Sequence, residues 1–254
     1  MIVAEDIQYA QYRIGNAPIL PYPFPHFQVS DVFPEKLYRE IIEAIPPAEF
    51  FSSIGETGRV RTAASQPNAY DNRSVLDFTE PNIDVMPPEN RELWRGLLTW
   101  LLGESFTMAT LEKFGDWVNH RFGKSLSDAR FFSDLQLVSD STNYTLGPHT
   151  DNPSKVVVLL FYLPRDDSNI ELGTSLYMPR DPALRCEGTV HHNRDQFTKV
   201  VTFPYRPNSV IGFFKSASSF HGVEPIAQPG VTRHLMQLSI RHGFPHTEDL
   251  ARVS

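Results

Sequence analysis

A single cysteine, Cys186, in 254 residues excludes an intrachain disulfide and any thiolate metal cluster. Such sparse cysteine use fits a reducing compartment. Basic charge is also scarce, with a formal net charge of −7. A protein that neutralises a nucleic-acid backbone needs a basic excess or stripe. The nearest candidate, "GRVRTAAS" at 58–65, holds only Arg59 and Arg61, so no nucleic-acid partner is expected. The opening "MIVAEDIQYA" carries Glu5 and Asp6 and has no basic segment leading into a long apolar run, so it does not read as a signal peptide. The longest apolar run, "VVVLLFYL" at 156–163, is too short to span a bilayer as a helix. These absences predict a cytoplasmic protein with no membrane partner.

What is present is ordinary globular composition, 41% hydrophobic and 21% charged, and one domain over 1–254 is expected. Residues 1–128 read as a layer of helices and short strands. A strand at His26 to Ser30 precedes a helix over 34–45, in which Leu37, Ile41 and Ile45 share one face and Pro46-Pro47 ends the pattern. Residues 51–88 show weak periodicity and predict loops and short strands. Helical spacing returns at 89–114: Leu93, Leu97 and Leu101 line a stripe that Trp94, Leu98 and Trp100 broaden. Gly103 breaks it, and Ser105 is the expected cap of a second helix marked by Leu111 and Phe114.

From about 130 the texture becomes β. "FFSDLQLVS", "KVVVLLFYLP", "GTSLYMP", "KVVTFPY", "SVIGFFKS" and "TRHLMQLSIRHG" are short runs of β-branched and aromatic residues separated by Gly, Pro, Asn and Asp. No helical pattern interrupts them, which points to an antiparallel sandwich or barrel over 129–245. The expected fold class is mainly β, a jelly roll or cupin-like double-stranded β-helix with the helices packed on one outer face.

Chemistry concentrates in "YTLGPHTDNP" at 144–153. His149 and Asp151 stand two apart at a strand end, so on extended chain their side chains converge. Alone, such a pair reads equally as a polar turn. His221, ending the apolar strand in "SVIGFFKSASSFHGVEPI", offers a third ligand, expected from a strand in the facing sheet. Two imidazoles and a carboxylate on one face of an octahedron describe a non-haem Fe(II) site. Adjacent His191 and His192 diverge on a strand and read as surface. His26, His120, His234, His242 and His246 have no carboxylate at a telling spacing.

In order and combination these segments resemble the Fe(II)/2-oxoglutarate-dependent oxygenases, in their prolyl-hydroxylase-like branch. "YTLGPHTDNP" is similar to the family's tyrosine, glycine and H-x-D segment, and "VVVLLFYLP" to the strand after it. "ELGTSLYMP" resembles the strand with the glycine and small-residue turn. "GFFKSASSFHGVEPI" resembles the strand with the distal histidine, and "TRHLMQLSI" the strand with the basic anchor. "PFPHFQVSDVFPEKLYREI" resembles the usual strand-then-helix opening. The resemblance covers about half of the chain. It implies iron held by His149, Asp151 and His221, with 2-oxoglutarate as co-substrate, O2 as oxidant, and ascorbate as a supporting reductant. It further implies a hydroxylase that releases succinate and CO2, acting on an amino acid, a peptidyl side chain or another small metabolite. An aspartate at 151, where a small residue would leave room for a halide, argues for hydroxylation over halogenation.

For the distal carboxylate of 2-oxoglutarate the resemblance implies Arg233, with Tyr162 and Tyr144 as further pocket residues or as core aromatics. Arg241 lies on the same strand face, but eight residues of strand separate it by roughly 26 Å. A hairpin between the strand at His221 and the strand at Thr232 would bring Arg233 beside the metal. Arg59, Arg61, Arg180 and Arg185 read as solvated surface. Residues 51–88 and 180–197 match nothing in the family, and substrate recognition is expected there. Two other functions use the same residues. One is a cupin-like metal-binding module without 2-oxoglutarate turnover, which needs no buried arginine. The other is a zinc hydrolase, which needs a general base, with Glu224 the one acid at a suggestive spacing.

Overall fold

The computed structural model describes residues 2–57, 70–188 and 190–243. Its first helix, α1 (Ala4–Asn16), buries Ala10 and Ile14 and leaves Tyr9 and Tyr12 exposed, which blurs its apolar stripe. β1 (His26–Ser30) matches the expected strand. In α2 (Glu35–Glu43) the spacing of Leu37, Tyr38, Ile41 and Ile42 puts all four on the buried face. The described part of residues 51–88 holds two short strands, β2 (Ser52–Ser53) and β3 (Arg73–Asp77), and a helix, α3 (Glu80–Val85). Thr79 caps that helix by accepting a hydrogen bond from the Asn82 N–H.

The stripe at 89–114 is two helices, α4 (Pro88–Leu101) and α5 (Glu104–Lys113), followed by α6 (Gly115–Phe122). Proline opens α4, where its missing N–H costs nothing. Leu93, Trp94, Leu97, Trp100 and Leu101 are buried, and Trp94 Nε1 donates to the Ala44 carbonyl at 2.9 Å, fastening α4 to the end of α2. Ser105 is not a cap. The chain turns directly off α4 at Gly103, where a Cβ would press on the Thr99 and Trp100 carbonyls, and the new helix is already under way at Glu104.

Eight strands follow: β4 (Phe131–Ser141), β5 (Leu146–His149), β6 (Lys155–Tyr162), β7 (Thr174–Pro179), β8 (Phe197–Thr202), β9 (Ser209–Phe214), β10 (His221–Val223) and β11 (Thr232–His242). All strand pairings among the described residues are antiparallel. The large sheet runs β1-β9-β6-β11-β4-β3-β2 and the small one β5-β10-β7-β8. From β4 onward the chain passes between the two sheets, taking β7 and β8 together in the small one. The hairpin expected between β10 and β11 is therefore absent: β10 pairs with β5 and β7, and β11 lies between β4 and β6.

The large sheet is covered on both sides, which explains why every residue of β6 is buried. Strand alternation divides its side chains between two cores. Val157, Leu159 and Phe161 of β6, with Met236, Leu238 and Ile240 of β11, pack against the helices. Val158, Leu160 and Tyr162, with Leu235, face the small sheet. The candidate site lies in this second interior.

Close backbone approach sets one sharp limit on sequence. A Cβ at Gly173 would lie 1.5 Å from the Phe203 carbonyl oxygen, a backbone atom that no rotamer change can move. Gly173→Ala should lower stability by about 3 kcal/mol or more, read as a fall in the urea midpoint. Gly15→Ala, with open space around the new methyl, should leave stability unchanged or raise it by about 0.5 kcal/mol.

Candidate metal centre

The small sheet builds the centre. His149 ends β5 and His221 begins β10, and the two are directly paired across adjacent strands, with ring centroids 4.4 Å apart. His221 thus comes from the neighbouring strand of the same sheet, not from the facing sheet. Asp151 follows His149 by two residues. One ligand atom from each of His149, Asp151 and His221 lies within 4.8 Å of the others.

Each histidine is oriented by its own backbone. His149 Nδ1 lies 3.0 Å from the Gly147 carbonyl and His221 Nδ1 3.0 Å from the Ser219 carbonyl. Only an N–H satisfies a carbonyl, so both Nε2 atoms carry the lone pair, the tautomer a metal ligand needs. Burial holds both imidazoles neutral by lowering their pKa, that of His149 well below the ordinary value. The Phe213 ring, 4.6 Å from His221, closes one side.

Asp151 divides its two oxygens. Oδ1 accepts from Lys155 Nζ at 2.6 Å, while Oδ2 is buried without a hydrogen-bond partner, 3.5 Å from His221 Nε2. Burial works against the carboxylate charge, but the Lys155 ammonium bonded to Oδ1 outweighs it, and the group is held well below the usual carboxylate range. A buried acceptor left unmet is costly. Neighbouring ligands on one ion stand about 3 Å apart, from bonds of about 2.1 Å at right angles, so a cation fits among these three residues.

A second group of charges spans the large sheet. Arg73, Asp140 and Arg233 are directly opposite one another on β3, β4 and β11. Arg73 grips Asp140 through Nε at 2.6 Å and Nη2 at 2.8 Å. Arg233 Nη1 donates to the same carboxylate at 2.7 Å, its Nε to the Leu172 carbonyl at 2.6 Å, and its Nη2 to Thr174 Oγ1 at 3.3 Å. Arg233 is 1% exposed and lies against the Tyr162 and Tyr205 rings. The Tyr162 hydroxyl accepts from the Thr174 N–H at 2.8 Å. The Tyr144 ring lies under Arg73, and its hydroxyl is buried with no partner. Arg233 reaches this interior by its parity on β11, since the residues on either side of it face the helices or solvent.

Other candidates fall elsewhere. Arg241 is at the far end of β11, paired with Asp134 and Ser154. Arg180 and Arg185 are exposed, while Arg59, Arg61 and His246 lie outside the described residues. Glu224 is bonded by the Tyr177 and Ser175 hydroxyls and flanked by Lys199 and Arg194, so it serves these neighbours and is not a free base. A cavity of about 840 Å³ lies between α5, α6 and β4, on the helix side of the large sheet, and none of the triad lines it.

His191 departs from its expected surface position. Its ring meets His149 edge-on at 5.1 Å, and its Nε2 lies 3.0 Å from the Tyr70 hydroxyl. The backbone beside it follows the free edge of β5: the His192 N–H donates to the Pro148 carbonyl at 2.8 Å. Gly188 sits where a Cβ would come within 2.3 Å of the Asp151 carbonyl. Two regions with no sequence likeness, 51–88 and 180–197, thus meet beside the triad through Tyr70 and His191. Their only sequence signal is the adjacent histidine pair, which carries no ligand spacing.

No family model and no curated protein matches the sequence. The structure is similar to a Pseudomonas putida prolyl 4-hydroxylase, with a TM-score of 0.51 and 12% identity over 92% of this chain and 98% of that one. A prolyl 4-hydroxylase from Phytophthora capsici aligns with a TM-score of 0.50 and 14% identity, over 99% of this chain and 74% of the other. The chain has the prolyl 4-hydroxylase fold. At these identities the likeness extends to architecture, two facing antiparallel sheets with helices. No helix among the described residues is long and apolar enough to cross a membrane.

The Asp151–Lys155 pair makes a measurable prediction. Both side chains are nearly buried, and removing one partner of such a pair leaves the other charge unpaired. Lys155→Met should cost about 3 kcal/mol in the metal-free protein, and the double variant Lys155→Met/Asp151→Asn should recover part of that loss. Additive losses in urea unfolding would mean that the contact carries no coupling.

Proposed function

We propose that this chain is an Fe(II)- and 2-oxoglutarate-dependent oxygenase, a hydroxylase of an amino acid, peptidyl side chain or other small metabolite. On this reading β4 to β11 are the eight strands of a double-stranded β-helix. The observation that carries the proposal is the buried, unpartnered Asp151 Oδ2 beside two imidazoles whose Nδ1 atoms are committed to backbone carbonyls, which leaves Nε2 of each to ligate. His149, Asp151 and His221 would hold the iron. With 2-oxoglutarate and O2 as co-substrates it would supply the chemistry that gives succinate and CO2 and puts one oxygen atom into a substrate C–H bond.

The chain's own residues do the rest. Lys155 occupies one oxygen of Asp151, so the carboxylate offers the metal the other. Arg233 and Arg73 share one carboxylate, leaving an excess positive charge in a water-poor interior, a charge a bound anion would balance. We assign the distal carboxylate of 2-oxoglutarate to Arg233, with the Tyr162 hydroxyl, which retains its proton for donation, and Tyr144 beside it. A metal-binding module without 2-oxoglutarate has no use for two buried arginines on one acid. Tyr70 and His191 stand where substrate would approach the metal.

Purified protein supplied with Fe(II), 2-oxoglutarate, O2 and ascorbate should release succinate. His221→Ala should lose both bound iron and succinate formation, and wild-type values for both would rule out the assignment. Arg233→Met should raise the apparent 2-oxoglutarate requirement tenfold or more, as expected for losing a charge-assisted hydrogen-bonded contact, while iron content is retained. Arg241→Met should leave that requirement unchanged.

A further inference from the structure

Arg73 belongs to β3, in a region whose sequence resembles nothing in the family, yet it is the guanidinium with a donor to spare. All three nitrogens of Arg233 are engaged, and that side chain is 1% exposed. Arg73 commits Nε and Nη2 to Asp140, and no hydrogen bond from Nη1 is made among the described residues. Its side chain keeps 10% exposure where that of Arg233 keeps 1%. A second observation points the same way. The Tyr144 ring lies 4.4 Å below the Arg73 guanidinium, and its hydroxyl, fully buried, has no partner. A donor and a hydroxyl, both unmet, face the same interior.

Placement connects this pair with the triad. Tyr144 shares one buried cluster with Tyr162 and Phe213, and the Phe213 ring lies 4.6 Å from that of His221. Asp140 is the one carboxylate that either arginine bonds among the described residues, so two guanidiniums share one negative charge. A planar guanidinium edge beside a hydroxyl matches the geometry of a carboxylate.

We propose that Arg73 Nη1 and the Tyr144 hydroxyl form a carboxylate-binding subsite beside the metal triad. The carboxylate comes either from the distal end of 2-oxoglutarate, which two arginines then hold, or from the substrate. The proposal rests on the oxygenase reading for the identity of the ligand; what it adds is Arg73 as a direct contact and a carboxylate for the Tyr144 hydroxyl to donate to. Asp140 positions it by holding Arg73 against Tyr144.

The test uses the full chain loaded anaerobically with Fe(II). It is titrated with 2-oxoglutarate and with 2-oxobutyrate, which has the same keto-acid head and no distal carboxylate, while the visible absorption of the iron chelate is followed. If the co-substrate supplies the carboxylate, Arg73→Met raises the dissociation constant for 2-oxoglutarate tenfold or more. Tyr144→Phe raises it at least threefold, and neither variant changes 2-oxobutyrate binding. If the substrate supplies it, 2-oxoglutarate binding is unchanged. Propionate then raises the melting temperature of the 2-oxoglutarate-saturated wild type but not of Arg73→Met or Tyr144→Phe. Tyr144→Phe removes only an unpartnered oxygen and keeps the test valid should Arg73→Met fold poorly. The proposal is overturned if neither variant alters 2-oxoglutarate binding or the propionate effect, or if both keto acids weaken equally. Wild-type protein that chelates neither keto acid would refute the oxygenase reading instead, and the propionate arm on the iron-loaded protein would still decide the role of Arg73.

Discussion

Burial on both faces of the large sheet is the constraint from which the rest of this structure follows. A strand covered on one side can slip its register and expose a few apolar groups. A strand covered on both sides has no tolerant face, and a shift of one residue would exchange its two sets of side chains between cores. Val157, Leu159 and Phe161 are committed to the helices, and Val158, Leu160 and Tyr162 to the space between the sheets. The same parity on β11 places Arg233 in that space and sends Met236, Leu238 and Ile240 outward. The position of the buried arginine is therefore a consequence of packing.

The two sheets then have different tasks. The small sheet presents His149 and His221 as directly paired neighbours, and adjacent β-strands hold such a pair at short, well-defined separation. The large sheet presents Arg73, Asp140 and Arg233 in a row across three strands. The candidate ligand atoms and the charged side chains therefore approach one interior from opposite walls. Their relative position depends on the packing between Phe213, Tyr144, Tyr162 and their neighbours.

Sequence was most legible where one physical rule dominated. The run 155–162 alternates between two apolar environments and reads as a buried strand. Leu93, Leu97 and Leu101 repeat at helical spacing, and His149 and Asp151 stand at the spacing that makes side chains converge. The triad was thus readable as a set of residues, but its route was not. His221 and His149 share a sheet because β10 inserts between β5 and β7, a long-range pairing that no local pattern encodes. The hairpin expected for Arg233 failed for the same reason: proximity in sequence gave no information about which sheet each strand would join. The helix α1 was hidden by Tyr9 and Tyr12, aromatic residues on its solvent face. Arg73 and His191 were not legible at all, because each gains its meaning from a partner far away in the chain, Asp140 for one and Tyr70 for the other.

Charge is spent in this interior with little regard for stability. Asp151 is buried with a lysine on one oxygen and nothing on the other, and Asp140 is surrounded by two arginines. Apolar residues of similar volume at such positions are often as stabilising as a buried ion pair, or more so. An interior chosen for stability alone would not leave Asp151 Oδ2 and the Tyr144 hydroxyl without partners. Both unmet groups lie in the space between the sheets, and each has an excess of positive or ligating character beside it. The Asp151 end is complementary to a cation and the Arg73–Arg233 end to an anion. A single molecule that chelates a metal at one end and carries a carboxylate at the other would meet both requirements at once, which is the physical ground for proposing a dicarboxylic keto acid and not a metal ion alone.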